Sequence, residues 1–104
     1  MSLPPVDQDG YLRDLADWSE AVAVELSRLE GLELDDRHWA VLKIARAFYQ
    51  RTNVSPEMRP LVRSVKETLG PEQGNSIYLM TLFPDSPAKL VAKIAGLPRP
   101  TNCL

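Results

Sequence analysis

Apolar residues recur along this chain at helical spacing, in five blocks set apart by glycine, proline and Asp, Asn or Ser punctuation. The first block predicts a helix from about Asp17 to Glu30, with Trp18, Ala21, Val22, Val24 and Leu29 around Glu25, and with Gly31 as its stop. The second starts at a cap on Asp35 or Asp36 and runs to about Thr52. Its stripe of Val41, Ile44, Ala45 and Phe48 is widened by Trp39, Leu42 and Tyr49, which predicts a well-buried central helix. Ser55-Pro56-Glu57 predicts the start of a third helix, with a capping serine, proline at the first helical position and an acid in the first turn. That helix runs to about Leu69. Met58, Leu61, Val62, Val65 and Leu69 fall on it at offsets 0, 3, 4, 7 and 11, which is one apolar face. A fourth helix, from Asn75 to Phe83, carries Ile77, Leu79, Met80 and Phe83 and ends at Pro84. The fifth follows Asp85-Ser86-Pro87, runs from Ala88 to Ala95, and stops at Gly96.

Strand signals are confined to the N-terminus. Asp9-Gly10 is a hairpin turn signal between Val6 and Tyr11-Leu12, preceded by Pro4-Pro5. The expected fold is therefore mostly α: a small orthogonal bundle of about five helices, helix-turn-helix-like, with a short N-terminal β-hairpin. Residues 1–104 are expected to form one domain.

The last block, Gly96-Leu97-Pro98-Arg99-Pro100-Thr101-Asn102-Cys103-Leu104, cannot be helical, because two prolines remove donors and push the preceding residues toward extended backbone. It reads as a mobile arm, residues 96–104, that carries the chain's only cysteine next to its end. Fully stretched from Gly96, it carries the Cys103 sulfur about 23–25 Å. A lone cysteine is most often a small buried hydrophobe, and in this tail an accidental residue and a functional thiol are evenly matched; Arg99 and the terminal carboxylate pull its ionisation in opposite directions. The stiff Pro-x-Pro spacer favours the reactive reading, since a buried cysteine has no use for it.

Composition narrows the chemistry. With 104 residues, 44% apolar and 25% charged, the chain suits one soluble globular domain. No apolar run approaches the roughly 20 residues of a membrane span, and no leader pattern is read at the start. One cysteine and one histidine exclude a disulfide framework, a cysteine-based metal site and a histidine pair, so no cofactor or metal is expected and a cytoplasmic home is. The net charge of −2 conceals a split: residues 1–36 balance to −8 and residues 37–104 to +6. Such asymmetry predicts an electronegative and an electropositive face, unless both are merely solvated. His38, with no second ligand or acid–base partner in sight, reads as structural.

Two groups of cations stand out. Lys89 and Lys93 lie four apart on the fifth helix and, with Arg99, predict a basic collar at the base of the arm for an acidic pocket rim in a partner. Arg59, Arg63 and Lys66 form a ridge on the third helix, the second of two helices joined by about three residues, a helix-turn-helix pattern. Against DNA, ordinary helix packing with a solvated edge is the favoured reading, because the ridge has no Asn or Gln to read base edges, while contact with an acidic protein or an RNA backbone stays open.

Together these residues resemble the DsrC/TusE family of sulfur-relay proteins. The resemblance rests on Asp9-Gly10-Tyr11-Leu12, Trp18, His38-Trp39, Arg46 with Phe48-Tyr49, Ser55-Pro56 and Arg59. It continues in Gly74-Asn75-Ser76, Leu82-Phe83-Pro84, Pro87-Ala88-Lys89 and the run from Lys93 to Pro100, and ends at the penultimate Cys103. It implies a mostly helical fold, an N-terminal hairpin, a mobile C-terminal arm, and a Cys103 that accepts sulfane sulfur as a persulfide and hands it on. Family members that partner dissimilatory sulfite reductase carry a second cysteine eleven residues upstream, where this chain has Ala92. The TusE branch lacks it and is the better match. It implies a TusBCD-like donor and an MnmA-like acceptor that thiolates the wobble uridine of certain tRNAs. Asn102 departs from the family's usual glycine. The competing readings are a DsrC-like carrier or regulator of sulfur metabolism and a helix-turn-helix nucleic-acid binder.

Overall fold

The computed structural model of the chain describes residues 2–101; Met1 and residues 102–104 lie outside the described residues. Five α-helices follow a 3-10 turn at Leu15–Asp17: α1 (Glu20–Leu29), α2 (Asp36–Thr52), α3 (Met58–Leu69), α4 (Ser76–Leu82) and α5 (Pro87–Ile94). The architecture is mostly helical, as the apolar period predicts. The hub is α5, not α2. Helix α5 packs against all four others, and Val91, Ala92, Ile94 and Ala95 are at most 1% exposed. Its alanines keep the surface low enough for several neighbours to approach, whereas α2 packs on α3 and α5 and leaves Lys43, Ala47 and Gln50 in solvent.

Helix starts explain most of the boundary differences. Ser19 caps α1 by accepting the Val22 amide at 3.2 Å, so the helix begins after Trp18 rather than at Asp17. Trp18 is thereby left on extended backbone, φ −72° and ψ 140°. At α2, Asp35 and His38 form a reciprocal capping box. The Asp35 carboxylate accepts the Arg37 amide at 2.9 Å, and His38 Nδ1 accepts the Asp35 amide at 3.1 Å. The other ring nitrogen, Nε2, lies 3.0 Å from the Leu82 carbonyl, so the tautomer protonated at Nε2 satisfies both partners and ties α2 to the end of α4.

Helix α3 starts at Met58, not at Pro56. Pro60 is the reason. With Met58 as the first helical residue, Pro60 falls in the first turn, where its missing N–H costs nothing; a start at Pro56 would put it in the interior. Ser55 is therefore free of capping duty.

The expected β-hairpin is not formed. Among the described residues the N-terminal β pairing shrinks to a single antiparallel bridge between Val6 and Leu12. The Asp7 carboxylate takes the amides of Asp9 and Tyr11, at 2.8 and 3.0 Å, and Pro4-Pro5 supply no donors, so no ladder extends from the turn. Those amides, Tyr11 first, hold the Asp7 carboxyl below its ordinary range.

The apolar face of α3 is only partly used. Leu61 and Val65 are fully buried, Met58 and Val62 half-buried, and Leu69 exposed. On α4, Leu79 and the following Phe83 enter the core, while Ile77 and Met80 stay 79% and 49% exposed.

The cap of α2 makes stability depend on acid. The Arg37 guanidinium, and after it the Arg37 amide, hold the Asp35 carboxyl well below its ordinary value of 3.8. A lowered folded-state pKa stabilises the fold above the unfolded value and loses that contribution as pH falls from about 4 through the folded value. Thermal unfolding followed by circular dichroism from pH 6 to pH 2 should show a smaller acid-induced drop in midpoint for Asp35→Asn, which keeps a capping oxygen and loses the charge.

Candidate functional site

The C-terminus of α5 is the best-satisfied helix end in the fold. Gly96 takes φ +72°, its amide donates to the Lys93 carbonyl at 3.2 Å, and the Leu97 amide donates to Ala92 at 2.8 Å. This is a Schellman closure, and it reverses the chain. Two further carbonyls are met from far along the sequence. Trp18 Nε1 donates to Ile94 O at 2.8 Å, and an Arg46 terminal nitrogen donates to Ala95 O at 2.7 Å. The Arg46 guanidinium also lies 3.8 Å from the centre of the Trp18 ring, a cation–π contact worth about 0.5–2 kcal/mol. Burial pulls the Arg46 pKa below its ordinary value, yet an arginine stays charged. Gly96 is required here twice over. Its φ favours glycine, and a Cβ would sit 2.3 Å from Trp18 Cδ1.

From this clamp the described tail, residues 96–101, lies against the body. Leu97 is 3% exposed and belongs to the core cluster, and Pro100 is buried. The Ser55 hydroxyl, itself nearly buried, donates to the Pro98 carbonyl. Arg99 pairs with Asp9 and stands 5.4 Å from the Tyr11 ring centre. The Thr101 hydroxyl donates to Glu57 Oε1 at 3.2 Å. Beside this strap a cleft of about 390 Å³ is lined by Tyr11, Leu12, Arg13, Leu15, Pro98 and Arg99, with Asp7 at its edge. The sequence reads residues 96–104 as a mobile arm, whereas residues 96–101 are held in place here. Leu97 and Pro100 are buried, and Ser55, Asp9 and Glu57 meet polar groups of the tail between and beyond them.

Cys103 lies outside the described residues. While Thr101 stays on Glu57, two further residues extend the chain by at most about 7 Å, far less than an arm free from Gly96. The expected collar is distributed rather than clustered. Lys93 Nζ is paired with Glu30 at 2.8 Å and is mostly buried, Arg99 is paired with Asp9, and only Lys89 has no side-chain partner among the described residues. The Lys89 carbonyl accepts the Tyr11 hydroxyl at 3.3 Å. The two oppositely charged halves of the chain are thus stitched together at Glu30–Lys93 and Asp9–Arg99 rather than wholly parted into two faces. No three His, Cys, Asp or Glu side chains gather to hold a metal among the described residues.

Trp18, Arg46, Ser55, Asp9 and Glu57 hold the tail, and sequence reasoning assigned none of them to it. For Ser55 a signal existed: Pro60 five residues later argues against a helix start at Pro56.

The family described as DsrC like protein matches residues 3–104, which includes the clamp, the strap and Cys103. The chain belongs to the DsrC-like family. Within and around it, the sulfurtransferase TusE of Sodalis glossinidius is 52% identical over 98 residues, covering 94% of this chain and 91% of that protein. The sulfurtransferase TusE homolog of Haemophilus influenzae is 49% identical over 98 residues, covering 94% and 90%. The solution structure of Allochromatium vinosum DsrC aligns with TM-score 0.86 at 42% identity, over 95% of this chain and 88% of that one. The crystal structure of the oxidized γ-subunit of dissimilatory sulfite reductase, DsrC, from Archaeoglobus fulgidus aligns with TM-score 0.84 at 37% identity, over 97% and 92%. In this DsrC-like chain Ala92 is 1% exposed, in the last turn of α5.

Two outcomes follow from the geometry. Gly96→Ala should destabilise the protein by at least about 1–3 kcal/mol in urea unfolding, with an altered Trp18 emission, because both the backbone conformation and the indole are disturbed. Ser55→Ala should cost only about 1 kcal/mol. It should lower the heteronuclear NOE of Arg99 and Thr101 while leaving that of α5 unchanged.

Proposed function

We propose that this chain is a sulfurtransferase of the TusE kind, a carrier that accepts persulfide sulfur on Cys103 and passes it toward 2-thiolation of the tRNA wobble uridine. The observation that carries the reading is the family match through residue 104 together with about half identity to proteins named sulfurtransferase TusE, in a chain whose only thiol is Cys103. In this reading residues 1–104 act as one cytoplasmic domain, and the end of the 96–104 segment is the carrier arm. No helix among the described residues is long and apolar enough to cross a membrane, which agrees with such a role.

The chemistry needs no cofactor. The Cys103 thiolate attacks the terminal sulfur of a donor cysteine persulfide; a new S–S bond forms at Cys103, the donor S–S bond breaks, and the donor thiolate leaves. In the second step an acceptor thiolate attacks the terminal sulfur of the Cys103 persulfide and Cys103 thiolate departs. Each step exchanges one S–S bond for another, so no net oxidant or reductant is consumed. Access along the S–S axis matters more than a general acid or base, and the site around the tail accordingly supplies position rather than proton transfer. A TusBCD-like complex is the proposed donor and an MnmA-like enzyme with tRNA the proposed acceptor. Lys89, Lys93 and Arg99 are proposed to face these partners; Lys89 is free to do so, and Lys93 and Arg99 do so by exchanging Glu30 and Asp9 for partner carboxylates.

Intact-mass analysis after incubation with a cysteine desulfurase, cysteine and the TusBCD-like proteins should show a gain of one sulfur, about 32 Da, on the wild type and none on Cys103→Ser. An equal gain on both would remove Cys103 from the role. Sulfur gained on Cys103 but never delivered to an MnmA-like enzyme would move the chain to a DsrC-like carrier role, the reading that its similarity to solved DsrC structures favours.

A further inference from the structure

The cations of α3 differ from the four arginine and lysine side chains that are paired elsewhere in the fold. Arg28, Arg37, Lys93 and Arg99 each face a carboxylate. Arg59, Arg63 and Lys66, at successive turns of α3, have no ion pair or side-chain hydrogen bond among the described residues, and all three are exposed. They border a groove of about 480 Å³ whose lining is completed by Met58, Val62 and Ser76. Gly74 builds it: a Cβ there would come within 2.1 Å of Lys66 Cα, so only glycine lets the approach to α4 lie directly on the backbone of α3. Half-buried Met58 and Val62 give the groove apolar surface. Met80, one turn beyond Ser76 on α4, and Ile77 beside it continue that surface into solvent, 49% and 79% exposed.

We infer that the α3–α4 groove is a docking surface for a protein partner in the relay, one that inserts apolar side chains flanked by carboxylates. This rests on the sulfur-carrier reading for the partner's identity. Charge complementarity sets the sign of the occupant, since three cations without counterions around an apolar strip match an acidic, apolar segment. The lining sets its class. Methionine, valine and isoleucine with arginine are what protein interfaces use, while a single-stranded nucleic acid is held by aromatic stacking, and no aromatic ring lines this groove. Position completes the argument. The tail runs from α5 to Glu57, the residue immediately before α3, and Cys103 follows Thr101 by two residues. A partner seated along α3 therefore meets the body at the end where the described tail, at Thr101, leaves it, whereas Lys89 lies back toward the start of the hub helix.

The test uses the full chain as Cys103→Ser, so that binding is read without sulfur transfer. The probes are the purified TusBCD-like complex, the MnmA-like enzyme and unmodified tRNA from the same organism. Against the parent, Arg59→Glu/Arg63→Glu/Lys66→Glu and, separately, Ile77→Asp/Met80→Asp should weaken binding of at least one of the two proteins by about tenfold or more, leaving tRNA binding unchanged. Amide shift changes on adding that protein should centre on residues 58–66 and 76–80. In the Cys103 protein, both variants should still gain sulfur from sodium polysulfide at the wild-type rate. Unweakened protein binding in both variants, shifts confined to the Lys89 and Lys93 face, loss of tRNA binding alone, or no binding of either protein by the parent each overturn the docking surface. Failure of the wild type to gain sulfur from the relay proteins counts against the carrier reading instead, and the binding comparison still decides the groove.

Discussion

Two backbone carbonyls at the end of α5, those of Ile94 and Ala95, are met by side chains from Trp18 and Arg46, and the rest of the molecule is arranged so that this can happen. A helix end inside a protein leaves acceptors that cost about 1–3 kcal/mol each when unmatched. Here the hub helix of the bundle ends in the interior, so its carbonyls must find donors from other elements. The indole comes from the extended residue before α1 and the guanidinium from the middle of α2. Their stacking at 3.8 Å makes them one unit. Gly96 is the only residue type that fits beneath the indole, and its left-handed conformation sends the chain back over the body. One local solution thus fixes the helix end, the direction of the tail and the positions of α1 and α2 relative to both.

The tail inherits its path from that clamp. Leu97 enters the core, and three polar contacts, from Ser55, Asp9 and Glu57, follow at nearly every residue. Exposed pairs such as Asp9–Arg99 contribute little individually. Their effect is on geometry: they hold the described tail against the body as far as Thr101, beside the start of α3. The charge pattern follows the same logic. Lys93 and Arg99 near the tail are matched by Glu30 and Asp9 of the acidic N-terminal half, while Arg59, Arg63 and Lys66 on α3 have no ion pair among the described residues.

The number and kind of elements were legible in the sequence because each apolar block has a helical period and ends at glycine or proline. The starts of α4 and α5 are read within a residue from Asn75 and from Ser86-Pro87. The start of α3 was misplaced because Ser55-Pro56 satisfies every local rule for a helix start, and the conflict with Pro60 shows only when both prolines are placed on one helix. The hairpin was misplaced because the Asp7 side chain competes for the amides that a ladder would need. The apolar face of α3 was overcounted: periodicity says which residues share a face but not how much of it a neighbour covers, and α4 is too short to cover Met58 and Val62.

By itself the chain's sequence determined a five-helix domain, a helix stop at Gly96, a non-helical end with one thiol, and membership in a family through motifs spread along its length. These are consequences of local physics: period, caps, missing donors and residue identity. Tertiary structure alone decided that α5 rather than α2 is the hub, that Ser55 serves the tail and not a helix, that Lys93 and Arg99 are matched by Glu30 and Asp9, and that Arg59, Arg63 and Lys66 are not. Each of these depends on contacts between residues tens of positions apart, which a one-dimensional pattern does not encode, because burial and charge pairing are set by what packs alongside rather than by what comes next.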